Sequence, residues 1–96
     1  MATHDVTIRN FAYSPRDVTI AIGDTVVWIS MDNVAHTVTA DDGSFDSGDL
    51  RRDGPPFERT FKEAAPDPIK YHCDHHGGMK GSVIVAAAAK PDPAAR

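Results

Sequence analysis

Apolar and polar residues alternate along most of this chain, and the three-to-four-residue spacing of an amphipathic helix does not occur. In DVTIAI (Asp17–Ile22), Val18, Ile20 and Ile22 fall on one face, with Thr19 and Ala21 on the other, which is the period of a half-buried strand. Gly23-Asp24 is a turn signal, and TVVWIS (Thr25–Ser30) then carries apolar residues on both faces, as a central strand does. DVTI (Asp5–Ile8) alternates as well, before the break at Ser14-Pro15. The same pattern predicts short strands in HTVT from His36, FERTF from Phe57, IKYHC from Ile69 and SVIV from Ser82. Turn signals such as DDGS, DSGD, DGPP, APDP and HGG separate nearly all of them. About seven β-branched or aromatic strands at this spacing predict an all-β sandwich or barrel rather than strand–helix–strand units. KEAA, from Lys62, allows one helical turn before Pro66 and nothing longer.

Composition sets bounds on this picture. A chain of 96 residues is one domain. Its formal net charge of −4, with scattered cations, argues against nucleic acid, whose phosphates need a basic face. A single cysteine permits no internal disulfide, so cysteine usage leaves the compartment open. The longest apolar run, Val83–Ala89, is far short of the ~20 residues that span a bilayer, so no transmembrane segment is expected. The opening MATHDVTIRN lacks the apolar core of a secretory signal, which implies either a cytoplasmic protein or a mature form written without its leader. AAAAKPDPAAR differs in composition: its prolines lack ladder donors and its alanines bury little. The expected division is a folded domain over 1–87 and a disordered tail or linker over 88–96.

Candidate chemistry concentrates in YHCDHHGGMKG, Tyr71–Gly81, which holds the only cysteine, three histidines and Met79. If IKYHC is a strand, Cys73 shares a face with Ile69 and Tyr71, and His72 points the other way. Taken alone, Cys73 reads as a buried, inert cysteine. The residues after it change that reading. Gly77-Gly78 would let the backbone turn so that thiolate, imidazole and thioether converge from one short loop. Thiolate and thioether favour copper(I), and imidazole suits both copper oxidation states. Two histidines and one cysteine, with a long and weak axial methionine, make an electron-transfer copper centre. Cys-x-x-His spacing selects His76, and a second histidine must come from elsewhere. His36, 37 positions before Cys73, is the candidate. His4 carries no neighbouring motif. His75 adjoins His76, and spacing alone leaves an exchange of ligand open. A structural zinc site fits poorly because methionine is a poor fourth ligand for zinc.

On these residues the chain resembles the cupredoxins, the type 1 blue copper proteins, and most closely their short-loop amicyanin and plastocyanin-like group. The similarity runs from about Asp5 to Ala86. It covers FAYSPRDVTIAIGDTVVWISMD, then NVAHTVTADDGSFDSG with His36 at the upstream ligand position. It ends in YHCDHHGGMKGSVIV, where Cys-x-x-His-x-x-Met-x-Gly matches Cys73, His76, Met79 and Gly81. The resemblance implies an eight-stranded Greek-key β-sandwich with one copper ion near one end, held by His36, Cys73, His76 and Met79. It implies a shuttle of single electrons rather than an enzyme, with His76 presenting its outer edge to solvent. The expected partners are redox proteins, a donor and an acceptor, docking around His76 at Gly77, Gly78, His75 and Ala35. A monomer working in the periplasm or outside the cell follows from the same likeness.

Departures from the family pattern are His75 in place of proline, Gly77-Gly78 in place of bulkier residues, and PDPIKY in place of a glycine-tyrosine approach to the cysteine. They open the question of His75 and suggest a softer loop. Asn33 and Thr37 flank His36 and are candidates for outer hydrogen bonds. Asp41, Asp42, Asp46 and Asp49 form an acidic stretch suited to steering a basic partner, or simply a solvated loop. Two rival functions use the same residues: a copper carrier, store or sensor, and a thiol enzyme with Cys73 activated by a histidine. The inward face expected for Cys73 disfavours the second.

Overall fold

The computed structural model describes residues 2–86, so the expectations for the tail at 88–96 and for the domain boundary at 87 lie outside the described residues. Eight strands follow one another: β1 (Thr3–Arg9), β2 (Ala12–Ser14), β3 (Asp17–Ala21), β4 (Thr25–Ser30), β5 (Thr39–Ala40), β6 (Phe57–Thr60), β7 (Ala65–Cys73) and β8 (His76–Ala86). They form two four-stranded sheets, in the orders β2-β1-β4-β6 and β3-β8-β7-β5. Each sheet is mixed: β1 runs parallel to β4 and β3 parallel to β8, and the other pairings are antiparallel. The result is the all-β Greek-key sandwich that the patterning and the resemblance predict.

The strand with apolar residues on both faces is a central one, as expected. β4 lies between β1 and β6, with Val26, Trp28 and Ser30 buried and Thr25, Val27 and Ile29 half-buried. Trp28 is fully enclosed, with the rings of Phe57 at 5.5 Å, Phe45 at 6.1 Å and Tyr71 edge-on at 5.5 Å. Tyr13 of β2 meets Tyr71 of β7 at 4.7 Å, so aromatic contacts bridge the two sheets. Val6, Ile8, Val26, Val83 and Val85 fill the space around them, each contributing on the order of 1.5–3 kcal/mol by leaving water.

Two local expectations are corrected, and one strand is added. HTVT does not extend as a strand from His36. The backbone of His36 pairs with Leu50, and the Val38 N–H donates to Ser47 Oγ at 2.8 Å, so only Thr39–Ala40 joins a sheet. KEAA forms no helical turn: β7 begins at Ala65, with an irregular register as far as Ile69, consistent with prolines at 66 and 68. A further strand, β2, follows a two-residue turn at Asn10–Phe11, where φ is 54° and 62°.

Asp24, after the Gly23 turn, ties β1 to the end of β3. Its carboxylate accepts the N–H groups of Ala2 (2.8 Å) and Ala21 (3.1 Å) and lies 2.9 Å from His4 Nε2. The His4 hydrogen bond first, then these backbone donors, hold the Asp24 carboxyl down to about 2. A carboxyl depressed in the folded state stabilises above its unfolded pKa, near 3.9, and that contribution is lost as pH falls toward about 2. Asp24→Asn is therefore expected to melt below the parent at pH 7. The difference should shrink between about pH 4 and pH 2, which parallel thermal melts would reveal.

Candidate metal centre

β7 and β8 form a tight hairpin whose two-residue tip is Asp74-His75. Across it Cys73 pairs directly with His76, after a register shift between His72 and Cys73. Residues opposed across a ladder bring their Cβ atoms to about 5 Å, so the Cys-x-x-His spacing converges through strand pairing. The glycine-driven turn expected from the sequence takes the form of a bulge. Gly77 and Gly78 lie inside β8 without positive φ. The register passes from His72 opposite Lys80 to Cys73 opposite His76, and leaves Gly77, Gly78 and Met79 without partners on β7. The hairpin tip is held from outside, because Thr37 Oγ1 accepts the Asp74 N–H at 2.9 Å.

His36 reaches this hairpin from the segment after β4 and is completely buried. Its Nδ1 is 3.8 Å from Cys73 Sγ, and His76 Nδ1 is 3.4 Å from the same sulfur. One donor atom from each of His36, Cys73 and His76 lies within 4.8 Å of the others. Cys73 and Met79 are 3% exposed, and Met79 follows His76 by three positions along β8. His76 is half-buried. A buried thiol on β7 facing two ring nitrogens, with a buried thioether on β8 three positions after His76, is a donor set that fits copper. The other histidines stay outside the cluster. His75 Nε2 meets Asp49 at 2.8 Å, His4 meets Asp24, and His72 lies between Asp41 (2.5 Å) and Asp74 (3.0 Å).

Outer hydrogen bonds orient the donors. The Thr37 N–H points at Cys73 Sγ at 3.4 Å, and the Thr37 carbonyl accepts the Tyr13 hydroxyl at 2.5 Å. Asn33, the other flanking candidate, turns to the surface and accepts from Arg52 at 3.0 Å. The residue missed by sequence reading is Asp32, whose Oδ2 is 2.7 Å from His36 Nε2. With the proton on Nε2 donated to this carboxylate, Nδ1 keeps its lone pair toward the sulfur. Partial burial opposes ionisation of Asp32. The N–H groups of Phe11 and Asn10, together with His36, outweigh it and hold the carboxyl below its ordinary value. A carboxylate four residues before a histidine was the only signal available, and outside a helix that spacing carries no geometric meaning.

Phe11 also escaped the sequence reading. It is 51% exposed, yet its ring meets those of His36 at 5.3 Å and His76 at 4.7 Å, both nearly perpendicular. The acidic stretch is engaged locally: Asp41 with His72, Asp42 with the Ser44 N–H, Asp46 with the Gly48 N–H, and Asp49 with His75. Asp41 first, then Asp74, raises the His72 imidazole above its ordinary pKa. Among the described residues, no helix is long and apolar enough to cross a membrane.

Comparison with known proteins agrees with this arrangement. The family model for copper binding proteins of the plastocyanin/azurin family matches residues 2–86. Amicyanin of Paracoccus denitrificans is 31% identical over 86 residues, covering 83% of this chain and 63% of the relative. This chain thus spans less than two thirds of that relative's length. Among solved structures, an oxidized proline-to-glycine mutant of amicyanin aligns with a TM-score of 0.75 at 27% identity, over 86% of this chain and 81% of that one. A purple cupredoxin from Nitrosopumilus maritimus aligns with a TM-score of 0.75 at 30% identity, over 86% of this chain and 99% of that one.

Proposed function

The chain belongs to the plastocyanin/azurin family of copper-binding proteins, and from that premise we propose that it shuttles single electrons between redox proteins. The one copper ion is held, in this reading, by His36 Nδ1, Cys73 Sγ, His76 Nδ1 and the Met79 thioether. One observation carries the proposal: the chain's own hydrogen bonds fix two of the donors. Asp32 holds His36 at 2.7 Å and the Thr37 N–H holds Cys73 at 3.4 Å. Donors fixed in this way rearrange little between oxidation states, as rapid one-electron transfer requires. When bound, copper supplies a one-electron couple that thiolate and imidazole serve in both states.

Electrons would pass through His76, the half-buried imidazole, next to the exposed Gly77 and Gly78. Small residues there permit close approach by a donor or acceptor, and such encounters are typically small and weak. The likeness to amicyanin supports redox proteins as partners and a place in the periplasm or outside the cell. A monomer with a folded domain over 1–87 and a tail over 88–96 completes the reading. A second reading, a copper carrier or store, draws on the open space around Gly77 and Gly78, where an added Cβ would meet nothing within 4 Å.

Copper(II) titration followed by voltammetry separates the two. An intense thiolate charge-transfer band with a reversible couple is expected for the shuttle. Rapid copper(I) transfer to a chelator, with no reversible couple, would point to the carrier instead. Iodoacetamide should leave Cys73 unmodified in the loaded protein, whereas a thiol enzyme would be alkylated. Met79→Leu is expected to keep the colour and shift the potential upward, because a weak donor to copper(II) is removed. An unchanged potential would take Met79 out of the ligand set.

A further inference from the structure

We infer that Phe11 is a positioning residue for both imidazoles, held by the same Asp32 carboxylate that holds His36; the inference rests on the ligand set proposed above. Phenylalanine in the left-handed region is an outlier that neighbouring structure must enforce. Asp32 enforces it by accepting the N–H groups of Asn10 at 2.9 Å and Phe11 at 3.0 Å. Its Oδ2 is shared between the Phe11 N–H and His36 Nε2, at 2.7 Å from the latter. One carboxylate therefore ties the β1–β2 turn to a ligand.

The turn itself does not call for an aromatic residue. Asparagine followed by glycine would satisfy both left-handed positions without strain. Nor does the core need Phe11, which is half-exposed and lies outside the buried cluster. Its ring is instead directed at the site, at 5.3 Å and 86° from His36 and 4.7 Å and 88° from His76. These are edge-to-face geometries of the favourable kind. The two imidazoles are themselves 4.9 Å apart, so the phenyl ring contacts both members of one pair.

His76 gains most from this contact. His36 is fixed by Asp32, whereas among the described residues no hydrogen bond reaches His76 Nε2. The next two residues are glycines with open space around them. Phe11 thus supplies the packing that keeps His76 Nδ1 turned toward the sulfur.

The test uses Phe11→Gly, which removes the ring and suits the backbone, with Phe11→Tyr as the conservative rescue. In the metal-free protein, NMR cross-peaks between the Phe11 ring and the rings of His36 and His76 are expected. The His76 ring signals should shift and broaden in Phe11→Gly while the melting midpoint stays at or above that of the parent. Copper(I) release to a chelator should accelerate about tenfold in Phe11→Gly and return to the parent rate in Phe11→Tyr. Cross-peaks absent from the parent, or His76 signals and copper(I) release unchanged in Phe11→Gly, overturn the inference. A parent protein that shows the cross-peaks but develops no thiolate band overturns the ligand set, and with it the purpose assigned to Phe11. The two failures are therefore distinguishable.

Discussion

Cys73→Ser is expected to abolish the visible thiolate-to-copper band completely while leaving the sandwich folded. The sulfur lies among Thr37 N–H at 3.4 Å, His76 Nδ1 at 3.4 Å and His36 Nδ1 at 3.8 Å, in a residue 3% exposed. A serine hydroxyl is close to it in size and can still accept the Thr37 N–H, so no buried donor is stranded. The stability change should stay within about 1 kcal/mol. What is lost is electronic. The charge-transfer band needs a soft, ionised sulfur, and a neutral hydroxyl is neither soft nor ionised. Copper(II) titration of both proteins, with circular dichroism as the folding control, decides the matter. A blue or green band surviving in the serine variant would remove Cys73 from the coordination sphere.

Gly81→Ala carries the largest expected stability cost. A Cβ at position 81 would sit 2.6 Å from both Cζ and the hydroxyl oxygen of Tyr71, and 2.7 Å from the Arg16 carbonyl oxygen. Neither obstacle can give way easily. The Arg16 carbonyl accepts the Ser82 N–H at 3.0 Å as β3 joins β8. Tyr71 is fully buried, with Tyr13 on one side at 4.7 Å and Trp28 on another at 5.5 Å. Overpacking of this kind costs about 1–3 kcal/mol, and an obstacle made of backbone and enclosed ring places it near the top of that range. For a domain of this size the melting midpoint should fall by roughly 10–20 °C. Tyr71 precedes Cys73 by two positions on β7, so its displacement should also disturb the copper spectrum. An alanine variant melting within about 2 °C of the parent would show that the contact is not enforced.

Much of this fold is legible from alternation alone, because the period of a strand is a local property. TVVWIS declares itself a central strand, and DVTIAI presents Ile20 to the core. The donor set is legible from residue chemistry, since soft sulfurs beside imidazoles leave few other uses. What escaped reading depends on a partner far along the chain. Nothing near Gly81 announces that Tyr71 and Arg16 crowd it. The Asn10–Phe11 turn lacks the glycine that signals a two-residue hairpin, because Asp32 holds it from 22 and 21 positions away. Gly77-Gly78 reads as a turn in the sequence, and the fold uses it as a bulge. Pairing with β7 skips from Lys80 to His76, so both glycines stand out of register inside β8.

The parallel pairing of β3 with β8 bears on how the molecule is assembled. Asp17 sits opposite Ser82, with their side chains 2.8 Å apart across 65 positions of sequence, and β1 likewise waits for β4. Loops of that span must close before they are rewarded, which places the chain among folders on the scale of milliseconds to seconds. The hairpin bearing Cys73, His76 and Met79 is secured through β3, near the opposite end of the sequence. Truncation before β8 would leave His36 and Cys73 without a socket, and capture of the ion belongs to the last stage of maturation rather than to a nascent fragment.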